Sequence, residues 1–110
     1  MPNVKLFVDD RVLAQVSDRL ETVLTEIRAF LCRAFGVTEP ACHLVVVPVR
    51  SLAGQTPVNI ELVILRRADR PRETVEDACG QLQALAVRLF AAHAAIRCTM
   101  QEAECYVVKR

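Results

Sequence analysis

Residues 2–10 read PNVKLFVDD. Val4, Leu6 and Val8 alternate with Asn3, Lys5 and Phe7, the two-residue period of a strand that buries one face more completely than the other. The strand opens at Pro2 and is stopped by Asp9 and Asp10, either of which can cap a following helix. Behind them Leu13, Val16, Leu20, Val23, Leu24, Ile27, Leu31 and Phe35 recur at three- and four-residue steps, the stripe of an amphipathic helix and therefore a core face rather than a cofactor box. Gly36 is placed to end that helix in a left-handed turn. His43 to Val49 then form a second, β-branched strand closed by Pro48, so residues 2–50 read as one βαβ unit.

The pattern returns downstream. Ser51 to Pro57, containing Gly54, is a turn long enough to reverse the chain, and Val58, Ile60, Leu62 and Ile64 then alternate with Asn59, Glu61, Val63 and Leu65 as a third strand. Pro71 and the Thr74, Asp77 spacing mark a second helix, whose apolar face is Val75, Ala78, Leu82, Leu85, Ala86, Leu89 and Phe90. Ala91 to Ala95 fades without a glycine cap, and Arg97 to Val108 contains the last strand, its polar middle Gln101–Glu104 suggesting a bulge or a subunit contact.

Two such units, residues 2–50 and 57–108, predict a single α+β domain over residues 1–110. The expected architecture is two-layer α/β: tandem βαβ units forming a four-stranded mixed sheet, with two helices on one face because right-handed crossovers place them there. The opposite face is expected to carry Asn59, Glu61 and Lys5 among Val45, Val47 and Val63. That mixture is too apolar for water and too polar for an ordinary core, and it suits a surface facing other subunits.

Composition supports association. The chain has 110 residues, 53% of them hydrophobic, yet no Trp, one Tyr and four Phe, so an aliphatic core must leave some apolar surface for neighbours to cover. A net charge of +1, from 14 basic and 13 acidic side chains interspersed, provides no global field for nucleic acid or anionic lipid. No apolar run approaches the roughly 20 residues of a membrane span. Cys32, Cys42, Cys79, Cys98 and Cys105 form no CxxC pair and follow no secretory signal, so they are expected to be reduced core residues in a cytoplasmic protein with no metal site. No glycine-rich phosphate loop is present, and no cofactor is expected.

Pro2 carries the chemical signal. Removal of Met1 would make it a secondary amine, a compact base whose pKa falls beside guanidinium groups or in an apolar pocket. Arg66 to Arg72 puts four arginines within seven residues, of which Arg67, Arg70 and Arg72 are candidates to grip an anion; the competing reading is a solvated loop paired with Asp69, Glu73 and Glu76. His43, opening the second strand, is a candidate donor to a substrate oxygen, although a lone histidine at such a place is more often a satisfied structural residue. Tyr106 is placed for a hydrogen bond or for packing, and His93 for a helix end.

A proline opening the first strand, two βαβ units and an arginine cluster after the third strand together resemble the tautomerase superfamily, over the whole chain. Length and strand order are similar to its longer members, of the macrophage migration inhibitory factor and 5-carboxymethyl-2-hydroxymuconate isomerase types, and to uncharacterised bacterial relatives. VVVPVRSLAGQT, residues 45–56, resembles the second strand and loop of the inhibitory-factor type, and Arg70-Pro71-Arg72 a motif of the malonate semialdehyde decarboxylase branch. The resemblance implies a homotrimer and a cofactor-independent tautomerase or isomerase. In that reading Pro2 moves a proton on a small unsaturated 2-oxo or 2-hydroxy acid, with Arg67, Arg70, Arg72 and His43 binding the carboxylate substrate. Arg11 resembles an arginine of the short tautomerases, but here it opens a helix. The alternative is a non-catalytic binding module, ferredoxin-like or tautomerase-like, since βαββαβ serves both folds. Parallel pairing inside each half distinguishes the tautomerase arrangement from the interleaved antiparallel sheet of the ferredoxin-like one. The central strands lack the aromatics that RNA stacking needs.

Overall fold

A computed structural model describes residues 2–110; Met1, whose removal the proline chemistry requires, lies outside the described residues. The chain runs β1 (Asn3–Asp9), α1 (Asp10–Val16), α2 (Leu20–Phe35), β2 (His43–Val49), β3 (Val58–Leu65), α3 (Arg72–Phe90) and β4 (Ala94–Gln101). The first helical stripe is thus one segment in sequence and two in space. Ser17–Arg19 between α1 and α2 is a 3-10 turn, where the Ser17 hydroxyl donates to the Ala14 carbonyl at 3.1 Å and an Arg19 guanidinium nitrogen donates to the Gln15 carbonyl at 3.3 Å. Short polar side chains bonding back to the preceding turn compete with the regular ladder and bend the helix there.

The sheet order is β2-β1-β3-β4. β1 pairs in parallel with β2, β3 in parallel with β4, and the two halves join through the antiparallel β1–β3 contact. Pairing within each half is the tautomerase arrangement rather than the interleaved one. Register aligns Val4, Leu6 and Val8 with Leu62, Ile60 and Val58, so the alternating apolar positions of both strands share one face. Against that face lie Val16, Val23, Ile27 and Leu31 from the first helical segments and Val75, Leu82, Ala86 and Phe90 from α3, most of them almost fully buried. Gly36 ends α2 at φ +63 and donates its amide to the Cys32 carbonyl, the left-handed stop expected of a glycine there.

Two boundaries differ from the sequence reading. β4 begins at Ala94, ahead of Arg97, because Ala91 itself takes the left-handed conformation, φ 51, and turns the chain directly into the strand without a glycine. The strand does not continue beyond Gln101: β4 ends there and the chain leaves the sheet through a 3-10 turn at Ala103–Cys105. The extended tail behind that turn passes the start of β1.

The second face of the sheet has no layer of its own. Lys5 sits between Val45 and Glu61, and Glu61 pairs with Arg97, giving a charged row across β1, β3 and β4. Phe7, Val47, Val63 and Asn59 flank it, each half-buried. Among the described residues no helix is long and apolar enough to cross a membrane.

Candidate active site

Pro2 is buried, immediately ahead of β1. Parallel pairing brings the first residues of β1 and β2 to the same sheet end, and the Pro2 carbonyl accepts the His43 amide at 3.1 Å. His43 Nδ1 lies 3.2 Å from Asn3 Oδ1. With that oxygen as acceptor, Nδ1 carries the proton and Nε2 keeps a lone pair for a ligand. The tail behind Ala103–Cys105 closes the site. A cavity of about 290 Å³ is lined by Pro2, Asn3, Pro40, His43, Tyr106, Val108 and Arg110.

This recess has the parts an acid/base site needs: a ring nitrogen, basic once Met1 is removed, and an imidazole and a phenol for hydrogen bonds, with Arg110 also in its lining. Two of the sequence candidates, Pro2 and His43, meet here, together with Tyr106. Arg110 escaped the sequence reading because it belongs to no motif and no periodic pattern; only the 3-10 turn after β4 brings it to Pro2.

The arginine cluster does not converge on the cavity within one chain. β3 runs antiparallel to β1, so Arg66 and Arg67 leave the sheet at the end where Pro2 lies. There Arg66 Nε sits 2.7 Å from Glu102 and Arg67 Nη2 2.8 Å from Asp69, both arginines being exposed. Arg72 Nε lies 2.8 Å from Glu76, one turn on in α3, and is likewise exposed. Arg70 turns inward, 7% exposed. It donates to the Leu65 carbonyl at 3.2 Å and to the Phe35 carbonyl at 3.1 Å, and its guanidinium carbon lies 5.3 Å from the centre of the Phe35 ring. Burial, and then the neighbouring Arg67 charge, lower its pKa from the ordinary guanidinium value. Arg70 is thus spent on the carbonyl end of α2 and on the turn after β3, where those acceptors would otherwise lack a partner.

Arg11 is at the far end of β1 from Pro2. It is bound to Asp9, whose nearly buried carboxylate also accepts the Arg11 amide, the Ser51 amide and the Ser51 hydroxyl. These bonds hold the Asp9 pKa far below the usual carboxylate range, the Arg11 side chain contributing most. The arrangement ties the start of α1 to the loop after β2. His93 is exposed. No group of three or more His, Cys, Asp or Glu side chains that could hold a metal ion occurs among the described residues.

No protein-family model matches the chain, and no curated protein is similar to it in sequence. Solved structures do match its shape. A fused 4-OT in an asymmetric trimer has a TM-score of 0.74 at 11% identity, over 96% of this chain and 91% of that one. Malonate semialdehyde decarboxylase has a TM-score of 0.66 at 13% identity, over 98% and 91%. A protein of unknown function from Vibrio cholerae has a TM-score of 0.72 at 13% identity, over 97% and 83%. At these identities the likeness is one of fold alone: the chain shares the fold of the fused 4-OT, of a member of the cis-3-chloroacrylic acid dehalogenase family and of malonate semialdehyde decarboxylase.

Proposed function

We propose that the protein is a cofactor-independent tautomerase or isomerase of a small unsaturated 2-oxo or 2-hydroxy acid, with Pro2, freed of Met1, as its acid/base. The observation that carries this reading is the burial of Pro2 in the wall of a cavity that also holds His43, Tyr106 and Arg110, on a tautomerase fold. The ring nitrogen takes a proton from the carbon beside the carbonyl, and the electron pair of the broken C–H bond passes into a dienolate. The same nitrogen then returns the proton to another carbon, so the substrate is isomerised and nothing is consumed. Arg110 is placed to pair with the carboxylate or the developing oxyanion, because a planar guanidinium makes two parallel bonds to such groups. In this reading His43 Nε2 and the Tyr106 hydroxyl serve the remaining oxygens.

A homotrimer in the cytoplasm is part of this reading. The half-buried second sheet face and its charged row suit packing against other copies, and five free thiols suit a reducing compartment. Arg67 and Arg72 are surface groups that a neighbouring subunit would bring to the cavity, whereas Arg70 acts through the fold.

Intact-mass analysis and an enol-to-keto assay on phenylpyruvate-like acids test the proposal. A mass lacking Met1, activity abolished by Pro2→Ala, and a raised KM for Arg110→Ala are expected. Retained Met1, or turnover unchanged in Pro2→Ala, would overturn it and leave a ligand-binding module.

A further inference from the structure

Asn3 opens β1 at a half-buried position where a β-branched side chain would suit the pleated surface better, since asparagine is among the residues depleted in strands. Its side chain reaches across to β2 instead. Parallel pairing sets Asn3 opposite His43, two residues ahead of the Lys5–Val45 pair and so on the same uncovered face of the sheet. The His43 amide donates to the Pro2 carbonyl at 3.1 Å, which pins the histidine backbone beside the proline, and Asn3 Oδ1 lies 3.2 Å from His43 Nδ1. Pro2, Asn3 and His43 line the same cavity.

A neutral imidazole carries one proton, and the partner of one ring nitrogen decides which of the two holds it. An amide oxygen can only accept, so it is satisfied by Nδ1–H and leaves Nε2 as an acceptor. We propose that Asn3 is a positioning residue that holds His43 in the Nδ1–H tautomer, so that the cavity selects an acid presenting a hydroxyl to Nε2 over one presenting a bare oxygen. The nature of the ligand, a small carboxylic acid, rests on the acid/base reading of the cavity; the tautomer does not. Residue type and place in the chain make His43 a donor, and its contact with Asn3 reverses that role. A 2-hydroxy acid satisfies the acceptor, whereas a 2-oxo acid sets a second acceptor against it and leaves both unpaired. On the proposed reaction the 2-oxo form is therefore the more weakly held of the two.

Nitrogen NMR of the full chain labelled at histidine, in mildly alkaline buffer where an imidazole is neutral, reads the tautomer directly. The chain has two histidines, and His93→Gln assigns their signals. The His43 proton is expected on Nδ1 in the parent and in Asn3→Asp, whose carboxylate also only accepts. In Asn3→Leu, which offers the ring no polar partner, the Nε2–H form should grow in. The selectivity is read by calorimetric titration with phenyllactate, a hydroxy acid with no double bond to move, and with its O-methyl ether, which keeps the oxygen but cannot donate. The parent and Asn3→Asp should bind phenyllactate about tenfold more tightly than the ether, and Asn3→Leu should bind the two alike.

A proton on Nε2 in the parent, a tautomer unchanged in Asn3→Leu, or equal binding of phenyllactate and the ether by the parent would overturn the proposal. The parent spectrum and the two ligands decide it even if Asn3→Leu does not fold. None of these readouts needs turnover, so they are separate from the Pro2→Ala assay: turnover unchanged in that variant removes the isomerase, while the His43 spectrum still decides the role of Asn3.

Discussion

Replacing Arg70 by methionine separates a structural guanidinium from a substrate-binding one. Methionine keeps an apolar stem near the Phe35 ring but deprives the Leu65 and Phe35 carbonyls of their donor. Hydrogen bonds from a charged group contribute about 1.5–3 kcal/mol each, and a desolvated cation–π contact about 0.5–2 kcal/mol. The cost of keeping a charge in a site that lowers its pKa offsets part of this, which puts the net loss near about 3 kcal/mol. A chain of this length unfolds with an entropy of about 0.23 kcal/mol/K, so the melting temperature should fall by about 13 °C. Thermal unfolding followed by circular dichroism reads this directly. The enol-to-keto assay, run well below the lowered transition, should return an unchanged KM. Arg70→Lys should recover only part of the stability, because an ammonium cannot span both carbonyls as the fork does. A melting temperature within about 2 °C of the parent together with a raised KM would refute the reasoning and return Arg70 to the substrate.

Ala91→Gly should stabilise the protein by about 0.5–1 kcal/mol, seen as a higher urea midpoint, because Ala91 holds φ 51 where a glycine has no Cβ penalty. Asp9→Asn should weaken the fold at neutral pH. Since folding depresses the Asp9 pKa below its ordinary 3.8, the stability it supplies is present above that pH and is lost as pH falls below it, so parent and variant should converge in urea unfolding under acid conditions. A gap that widens in acid would contradict this sign. Leu62→Ala, at a 1% exposed position in β3, should cost about 2–5 kcal/mol by the same measurement.

The secondary elements were legible because their signals are local. A strand alternates every second residue and a helix every three or four, so Val58, Ile60, Leu62 and Ile64 declare β3 and Val75, Ala78 and Leu82 declare α3 from a few neighbours in the chain. The start of β4 was not legible, since Ala91 in the left-handed conformation looks like any other helical alanine. Nor did the chain announce that Ser17 and Arg19 bond back to the preceding turn and split the first helix.

For the site, the primary structure marked Pro2 at the head of a strand and His43 at the head of another, and both reached the cavity because parallel pairing aligns the starts of β1 and β2. Nearness along the chain misled for the arginines. Arg67, Arg70 and Arg72 lie within six residues, yet their side chains diverge to Asp69, to the Phe35 carbonyl and to Glu76, each drawn by the partner the backbone puts in reach. Arg110 is the converse, distant in sequence from Pro2 and brought to the same cavity by the turn after β4. Periodicity and turn residues are properties of short segments and can be read from residues alone. Which side chains meet the proline depends on long-range register, and that exists only once the sheet has formed.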